Sequence, residues 1–524
     1  MESLLLIVVL AAVVLVGTVI GRRFSVAPPI LLITFGCLLA LIPALAEVRL
    51  PSEVVLLLFL PAILYWESLN TSLREIRANL RVIILSAVVL VVVTMVTVSY
   101  SLQALGVAAS AAWILGAVLA PTDAAAMAGL AKRMPRRTLT TLRAESLIND
   151  GTALVLFAVA VGALVAGEIP GPVELSAQLL WSSAGGILSG ALAGGLVVLA
   201  RRHLDDPLVE GGLSILTPFL AFLLAEVGHA SGVVAVVVSG LMLAYAGPRV
   251  IRARSRVQAF AFWNLATFML NGSLFVLVGM QIPEAVRGIS GRSFGPAVGI
   301  ALAATAVVIL TRLAWVHVST VIVRTVDRRA VQRARRVNWK VRTASGWTGF
   351  RGAVSLAAAL AVPVTLADGT AYTERDLIVF TTVVVIVLTI LLEGLTLPLV
   401  IRWAGLNGDE TRADETREAR LAAGQAALDV LPEVARSLGA PDDMVDRVRA
   451  DYEDHLEMAR ADTDPAAQRY EELEHRLRLA VLDNKRRAVT RMRDLNKIDD
   501  IVLRDLQAAM DIEELRLLGP ADSD

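Results

Sequence analysis

The chain holds a single cysteine, Cys37, set in an apolar run, so it has neither a disulfide framework nor a thiolate metal site. Aromatics make up only 5% of its 524 residues. It carries no His-Glu-x-x-His zinc motif and no Gly-x-Gly-Asp segment, which argues against an intramembrane protease. No repeated filter loop suggests a channel. The polar C-terminal region has no phosphate loop, no metal cluster and no surface mixing aromatic with basic residues, so no nucleic-acid partner is expected. Nothing points to a cofactor or to an enzyme. The start, Met-Glu-Ser, lacks the basic region of a signal peptide, and the first apolar run ends in Gly21-Arg-Arg, so it reads as a retained span.

What the chain does have is aliphatic bulk. It is 56% hydrophobic with a mean hydropathy of +0.65, well above a soluble domain, and rich in the small residues that let helices approach closely in lipid. Thirteen apolar segments of spanning length are expected, near residues 3–20, 26–46, 53–70, 81–102, 107–130, 144–166, 176–200, 211–226, 231–246, 258–282, 294–322, 345–363 and 377–403. The eighth and ninth are short, because Glu226-Val-Gly-His229 cuts into them. Arginines crowd alternate connections, ending with the basic stretch Arg324–Arg342, which places the N-terminus outside and the C-terminal tail in the cytoplasm of a plasma-membrane protein.

The formal net charge is zero but unevenly spread. Residues 405–524 hold 18 Lys/Arg against 29 Asp/Glu, and residues 1–404 hold 31 against 20. A transmembrane domain over 1–404 and a helical regulatory tail over 405–524 are therefore expected. Within the tail, helices are expected over 409–438, 442–462, 465–482 and 484–517. Pro121 interrupts span five, and Gly346, Gly349 and Gly352 loosen span twelve around Arg351. With span seven as a linker, these are the fifth members of two inverted six-helix halves, the arrangement that points to a secondary transporter's site. The fold class is thus an all-α polytopic membrane protein of about thirteen spans in two inverted repeats, with a helical tail.

Carboxylates inside such spans cost on the order of 3 kcal/mol each and mark an ion or proton path by default. Asp150, in Glu145-Ser-Leu-Ile-Asn-Asp150, is the strongest candidate, because a carboxylate in low dielectric can hold a proton or exchange it for a cation. Ser146 lies one helical turn before it on the same face, and Asn149 adjoins it, so both offer neutral oxygens. Thr122 and Asp123 follow Pro121, where unwinding frees carbonyls; Asp123 also suits the positive end of a half-helix. An alkali cation is expected at Asp150, Ser146 and Thr122. Glu145 sits roughly 140° around the helix from Asp150 and is expected to pair with Arg351 as a structural ion pair. Glu67, near the end of span three, either joins the site or faces water. Glu226, His229, Arg312 and Glu393 receive no role, and Asn264 and Asn271 read as interhelical hydrogen-bond formers.

Ala120-Pro-Thr-Asp-Ala124, Glu145-Ser-Leu-Ile-Asn-Asp-Gly-Thr152 and Gly349-Phe-Arg-Gly-Ala-Val-Ser-Leu356 resemble signature segments of the monovalent cation/proton antiporters. The resemblance is closest to the branch that includes eukaryotic sodium/proton exchangers and their prokaryotic counterparts. It covers the membrane part and not the tail. It implies a homodimer with a six-helix ion-carrying core that moves like an elevator in the lipid. It also implies an ion-binding Asp150 preceded by Asn149, backbone coordination at Thr122 and Asp123, and a helix-bridging Glu145–Arg351 pair. One departure stands out: where the family places an acid in span three, this chain has Trp66, with Glu67 next. One titrating carboxylate beside a neutral asparagine implies one-for-one, electrically silent exchange of sodium for protons. Potassium/proton exchange is the alternative, with a cation channel or a sensor further behind.

Overall fold

The computed structural model describes residues 2–24, 27–42, 55–123, 136–166, 171–289, 294–326, 338–366, 369–406, 410–461, 465–495 and 497–518. The second part of span five, with Lys132 and Arg133, and most of the basic 324–342 stretch lie outside them. Among the described residues the chain is helical, with one isolated β-bridge between Thr365 and Ala371. It divides into two compact units, 1–408 and 409–524.

The first unit holds α1 (Glu2–Phe24), α2 (Pro28–Leu39), α3 (Leu60–Leu69), α4 (Leu73–Ile84), α5 (Leu90–Ala104), α6 (Ala109–Leu119), α7 (Arg136–Ala166) and α8 (Pro172–Arg201). It continues with α9 (Pro207–Val227), α10 (Gly232–Val250), α11 (Ala253–Ile289), α12 (Phe294–Val326), α13 (Trp339–Gly346), α14 (Ala353–Leu360) and α15 (Arg375–Ala404). Helix occurs within every expected span. Nine described helices are long and apolar enough to cross a membrane, and 28–39, 56–69 and 109–119 are shorter apolar helices. A π-helical turn over Val55–Phe59 leads into α3, and another over Leu85–Val89 joins α4 to α5.

Boundaries differ from expectation where capping chemistry extends a helix. α9 starts at Pro207, because Asp206 accepts a hydrogen bond from the Leu208 N–H and proline suits the first helical position. α10 is capped by Ser231 and runs to Val250. The two helices that looked short are therefore 21 and 19 residues long. The turn between them is tight enough to hold His229 at a φ of 51°.

Small residues set the closest packing. A Cβ at Gly36 would strike the Val276 carbonyl, and one at Gly279 the Ile33 carbonyl, so α2 and α11 meet backbone to backbone. Cys37 lies at that seam. Leu60, Tyr65, Ala193, Ala221, Val236 and Trp263 form a second buried cluster joining α3 to α8–α11.

The second unit contains α16 (Glu410–Leu438), α17 (Asp442–Ala461), α18 (Pro465–Asp494) and α19 (Asp500–Leu518). α16 turns back on α17 through Gly439, whose φ of +63° is the left-handed helix stop that glycine favours. Leu456 packs on Gly424 across that hairpin. The break expected near residue 483 is absent. No glycine or proline stands there, and the Arg487–Asp483 pair supports the continuing helix, so α18 ends only at Asp494. Asp499 then caps α19 at the Ile501 N–H. Arg486 reaches both Asp511 and Glu514, and Lys485 reaches Glu513; these exposed pairs set the register of α18 on α19 while each adds little stability.

The α2–α11 seam gives a direct check. Gly279→Val should cost about 3 kcal/mol or more by forcing two backbones apart. Gly162→Ala, in open space, should be neutral or stabilising by up to ~1 kcal/mol. Thermal unfolding of both purified variants separates the outcomes; equal melting temperatures would refute the close-packing account.

Candidate functional site

Pro121 supplies no N–H and ends α6 just after Leu119. The exposed polar groups of that break are met by a second one, the extended stretch between α13 and α14. The Asp123 N–H donates to the Phe350 carbonyl at 2.8 Å. Arg351 Nε donates to the Leu119 carbonyl at 2.7 Å, and its Nη1 to the Gly349 carbonyl. Gly352 is required here, because a Cβ would overlap the Asp123 carboxylate. The two interrupted segments thus cross in contact, each using polar groups the other leaves open.

α7 lies against this crossing. Ser146 Oγ donates to the Thr122 carbonyl at 2.7 Å, and Asn149 Nδ2 donates to Thr122 Oγ1 at 2.7 Å. Asn149 Oδ1 is buried with no hydrogen-bond partner among the described residues. Both polar groups of Thr122 beyond its N–H therefore tie the break to α7. The threonine does not line the cavity beside it.

That cavity, about 40 Å³, is bounded by Glu67, Asp123, Ser146, Asp150 and Asn271 together with aliphatic residues of α3, α11 and α14. It has room for a few water-sized bodies and no more. Asp150 is 6% exposed and makes no hydrogen bond or ion pair among the described residues. Such a carboxylate is balanced only by a proton or a cation. Of the expected ligands, the structure brings Asp150, Ser146 and Asp123 to the cavity and sets Thr122 and Asn149 behind them. Glu67 is placed on the wall: Trp66 packs edge-on against Phe260 of α11, with ring centroids 5.1 Å apart, and the next side chain reaches the cavity. Asn271, read as a hydrogen-bond former between helices, lines it as well. Only its neighbourhood to α7, invisible in a single helix's periodicity, could have revealed this.

The expected Glu145–Arg351 ion pair is corrected. Glu145 Oε1 accepts from Arg312 Nη1 at 2.6 Å, with side-chain exposures of 7% and 4%. Arg351 is spent on the carbonyls of the crossing, and Arg312 of α12 is the guanidinium that faces Glu145. Arg312, which receives no role from the sequence alone, is 3% exposed. Glu393 of α15, also unassigned before, is 1% exposed with its Oε2 unpartnered among the described residues. Gly349 is pressed between Arg312 and Glu393. Two arginines and two glutamates thus form a buried group behind the cavity, spanning α7, α12, the α13–α14 break and α15. Two intramembrane arginines and two acids were visible in the sequence. Which acid met which arginine was not.

A charge left alone in that group costs about 3–5 kcal/mol, whereas removing both partners for apolar residues costs less. Arg312→Met and Glu145→Leu should each lower the melting temperature strongly, and the double variant should recover part of the loss. Arg351→Lys should also destabilise, because an ammonium cannot reproduce the planar fork held by two carbonyls. Additive losses for Arg312 and Glu145 would show that the two act independently.

Residues 8–403 match the family model described as "Sodium/hydrogen exchanger, transmembrane". A protein of Mycobacterium tuberculosis named an uncharacterized Na(+)/H(+) exchanger is 55% identical over 529 residues, covering 100% of this chain and 97% of that one. The sodium, potassium, lithium and rubidium/H(+) antiporter of Bacillus pumilus is 31% identical over 415 residues, which is 76% of this chain and 61% of the relative. The solved sodium proton antiporter MjNhaP1 from Methanocaldococcus jannaschii superposes with a TM-score of 0.59 at 20% identity, over 76% of this chain and 98% of that one. At that identity the likeness is one of fold. With its membrane part matched almost end to end, this multi-pass chain belongs to the sodium/hydrogen exchanger family.

Proposed function

We propose that the protein exchanges sodium for protons across the membrane by alternating access, with Asp150 as the group that carries each in turn. The observation that carries this reading is the buried Asp150 carboxylate, unpaired beside a cavity that fits a cation shorn of most of its water. Hard alkali cations take oxygen ligands, and Asp150, Ser146 and Asp123 supply them, with Thr122 and Asn149 holding the break in place. Glu67 joins the wall as an accessory acid. A proton and a cation compete for one negative site, so each traverse carries a neutral load. Glu145 is held by Arg312 and is not part of the cavity wall. The Bacillus pumilus relative's name favours a second reading, in which potassium or lithium is also accepted; a site of flexible oxygens is consistent with that breadth.

The same proposal includes a homodimer in lipid, an elevator-like movement of the ion-carrying helices, and an N-terminus outside with residues 405–524 in the cytoplasm. The alternation of arginine-rich connections supports the orientation. The wholly different composition of the tail supports its regulatory role, as no candidate site residue lies within it.

Two measurements in proteoliposomes bear on this. Wild-type protein should exchange sodium for protons at a rate that hardly changes with clamped membrane potential, falling at acid pH where protons win the site. Asp150→Asn should reduce exchange to the level of protein-free vesicles while remaining folded. Near wild-type exchange in Asp150→Asn would remove it as the carrier, and a steep dependence on potential would bring in Glu67 or Asp123 as a second one. Separately, a chain ending at Gly408 should still transport but with a displaced pH response; complete inactivity in a well-folded truncation would give the tail a direct part.

A further inference from the structure

A second, larger cavity lies apart from the ion site, between α4, α8 and α10. Its volume is about 420 Å³, within the ~300–1,000 Å³ that small-molecule pockets occupy. Val198, Leu241 and Met242 give it apolar walls, and Gly195 leaves its α8 side open. Its polar lining comes from Arg77 and Tyr245. Arg77 makes no hydrogen bond or ion pair among the described residues. Tyr245 is 60% exposed, and the Arg249 guanidinium sits 5.6 Å from its ring centroid. Arg249 likewise has no carboxylate partner among the described residues. Neighbouring Leu196 and Leu199 of α8 are about half exposed, so this part of α8 presents an apolar surface.

One guanidinium on the wall of an apolar slot, from the amphipathic α4, and a second stacked on the slot's Tyr245 at the end of α10, define a particular chemistry. A soluble anion would satisfy the arginines and leave the slot empty; an uncharged lipid would fill the slot and leave the arginines unmatched. We propose that this cavity binds an anionic phospholipid, with an acyl chain along Val198, Leu241 and Met242 and the phosphate held by Arg77 and Arg249. Arginine suits the task because its planar donor fork matches phosphate oxygens. α4 and the π-helical turn after it also pack on α7, through Ile83, Ala87 and Ala144. A lipid seated here braces the helix that carries Asp150 against α8 and α10.

The test uses the full-length protein in detergent, titrated with dioleoyl phosphatidylglycerol, dioleoyl phosphatidylcholine or glycerol 1-phosphate while thermal unfolding is followed. Phosphatidylglycerol should raise the wild-type melting temperature by about 3 °C or more, and the other two should not. The double variant Arg77→Gln with Arg249→Gln should lose at least half of that gain. Gly195→Leu, whose side chain enters open space in the slot, should lose a similar share while keeping both arginines. Arg202→Gln, an exposed arginine at the same end of α8, should keep the gain. Any one of four results would overturn the proposal: no gain from phosphatidylglycerol, an equal gain in the double variant, an equal loss in Arg202→Gln, or equal stabilisation by glycerol 1-phosphate. The last would assign the arginines to a soluble phosphate. Should the double variant not fold, Gly195→Leu alone decides: an undiminished gain there rejects the slot.

Discussion

Two broken helices cross at residues 119–123 and 349–352, and each meets polar groups that the other cannot satisfy within itself. In water such breaks would be solvated; in lipid they persist only because the partner break is there. The bonds run both ways, from the Asp123 N–H to Phe350 and from Arg351 to Leu119. Arg351 therefore serves the backbone first. At longer range it faces Glu393 and the Glu145 that Arg312 contacts.

The ion site is a consequence of that crossing. Because Thr122 is fastened to α7 through Ser146 and Asn149, the unwound segment cannot drift from Asp150. Because Gly352 has no side chain, Asp123 can enter the same small space. The buried arginine–glutamate group then serves rigidity. None of its four side chains lines the cavity, whose own acids are Glu67, Asp123 and Asp150. Burying four charges is a poor way to gain stability compared with an apolar core, but it fixes which helices meet and in what register.

The hydrophobic packing around the site works with short side chains rather than long ones. Gly36 and Gly279 let α2 and α11 touch along their backbones, and alanine-rich faces do the same elsewhere. Lipid offers no hydrophobic force between helices, so close contact and interhelical hydrogen bonds must supply the adhesion. The composition noted at the outset, many aliphatics and few aromatics, is the chemical form of that requirement.

By itself, the sequence determined the features that are local in the chain. Apolar length gave the helices, Pro121 and the glycines of 346–352 gave the breaks, and an acid in an apolar run marked Asp150. Each depends on residues within a few positions of one another, so spacing alone reveals it. Only the tertiary structure decided which arginine faces Glu145, because Arg312 and Arg351 are both plausible until two distant helices are placed side by side. The same holds for Asn271 and for Glu67, whose direction depends on Trp66 finding Phe260. In the tail, helices were legible but the last break was not: no breaker residue stands near 483, and the helix stops where Asp499 caps its successor. Periodicity fixes which residues share a face; contact between helices far apart in the chain fixes what that face meets.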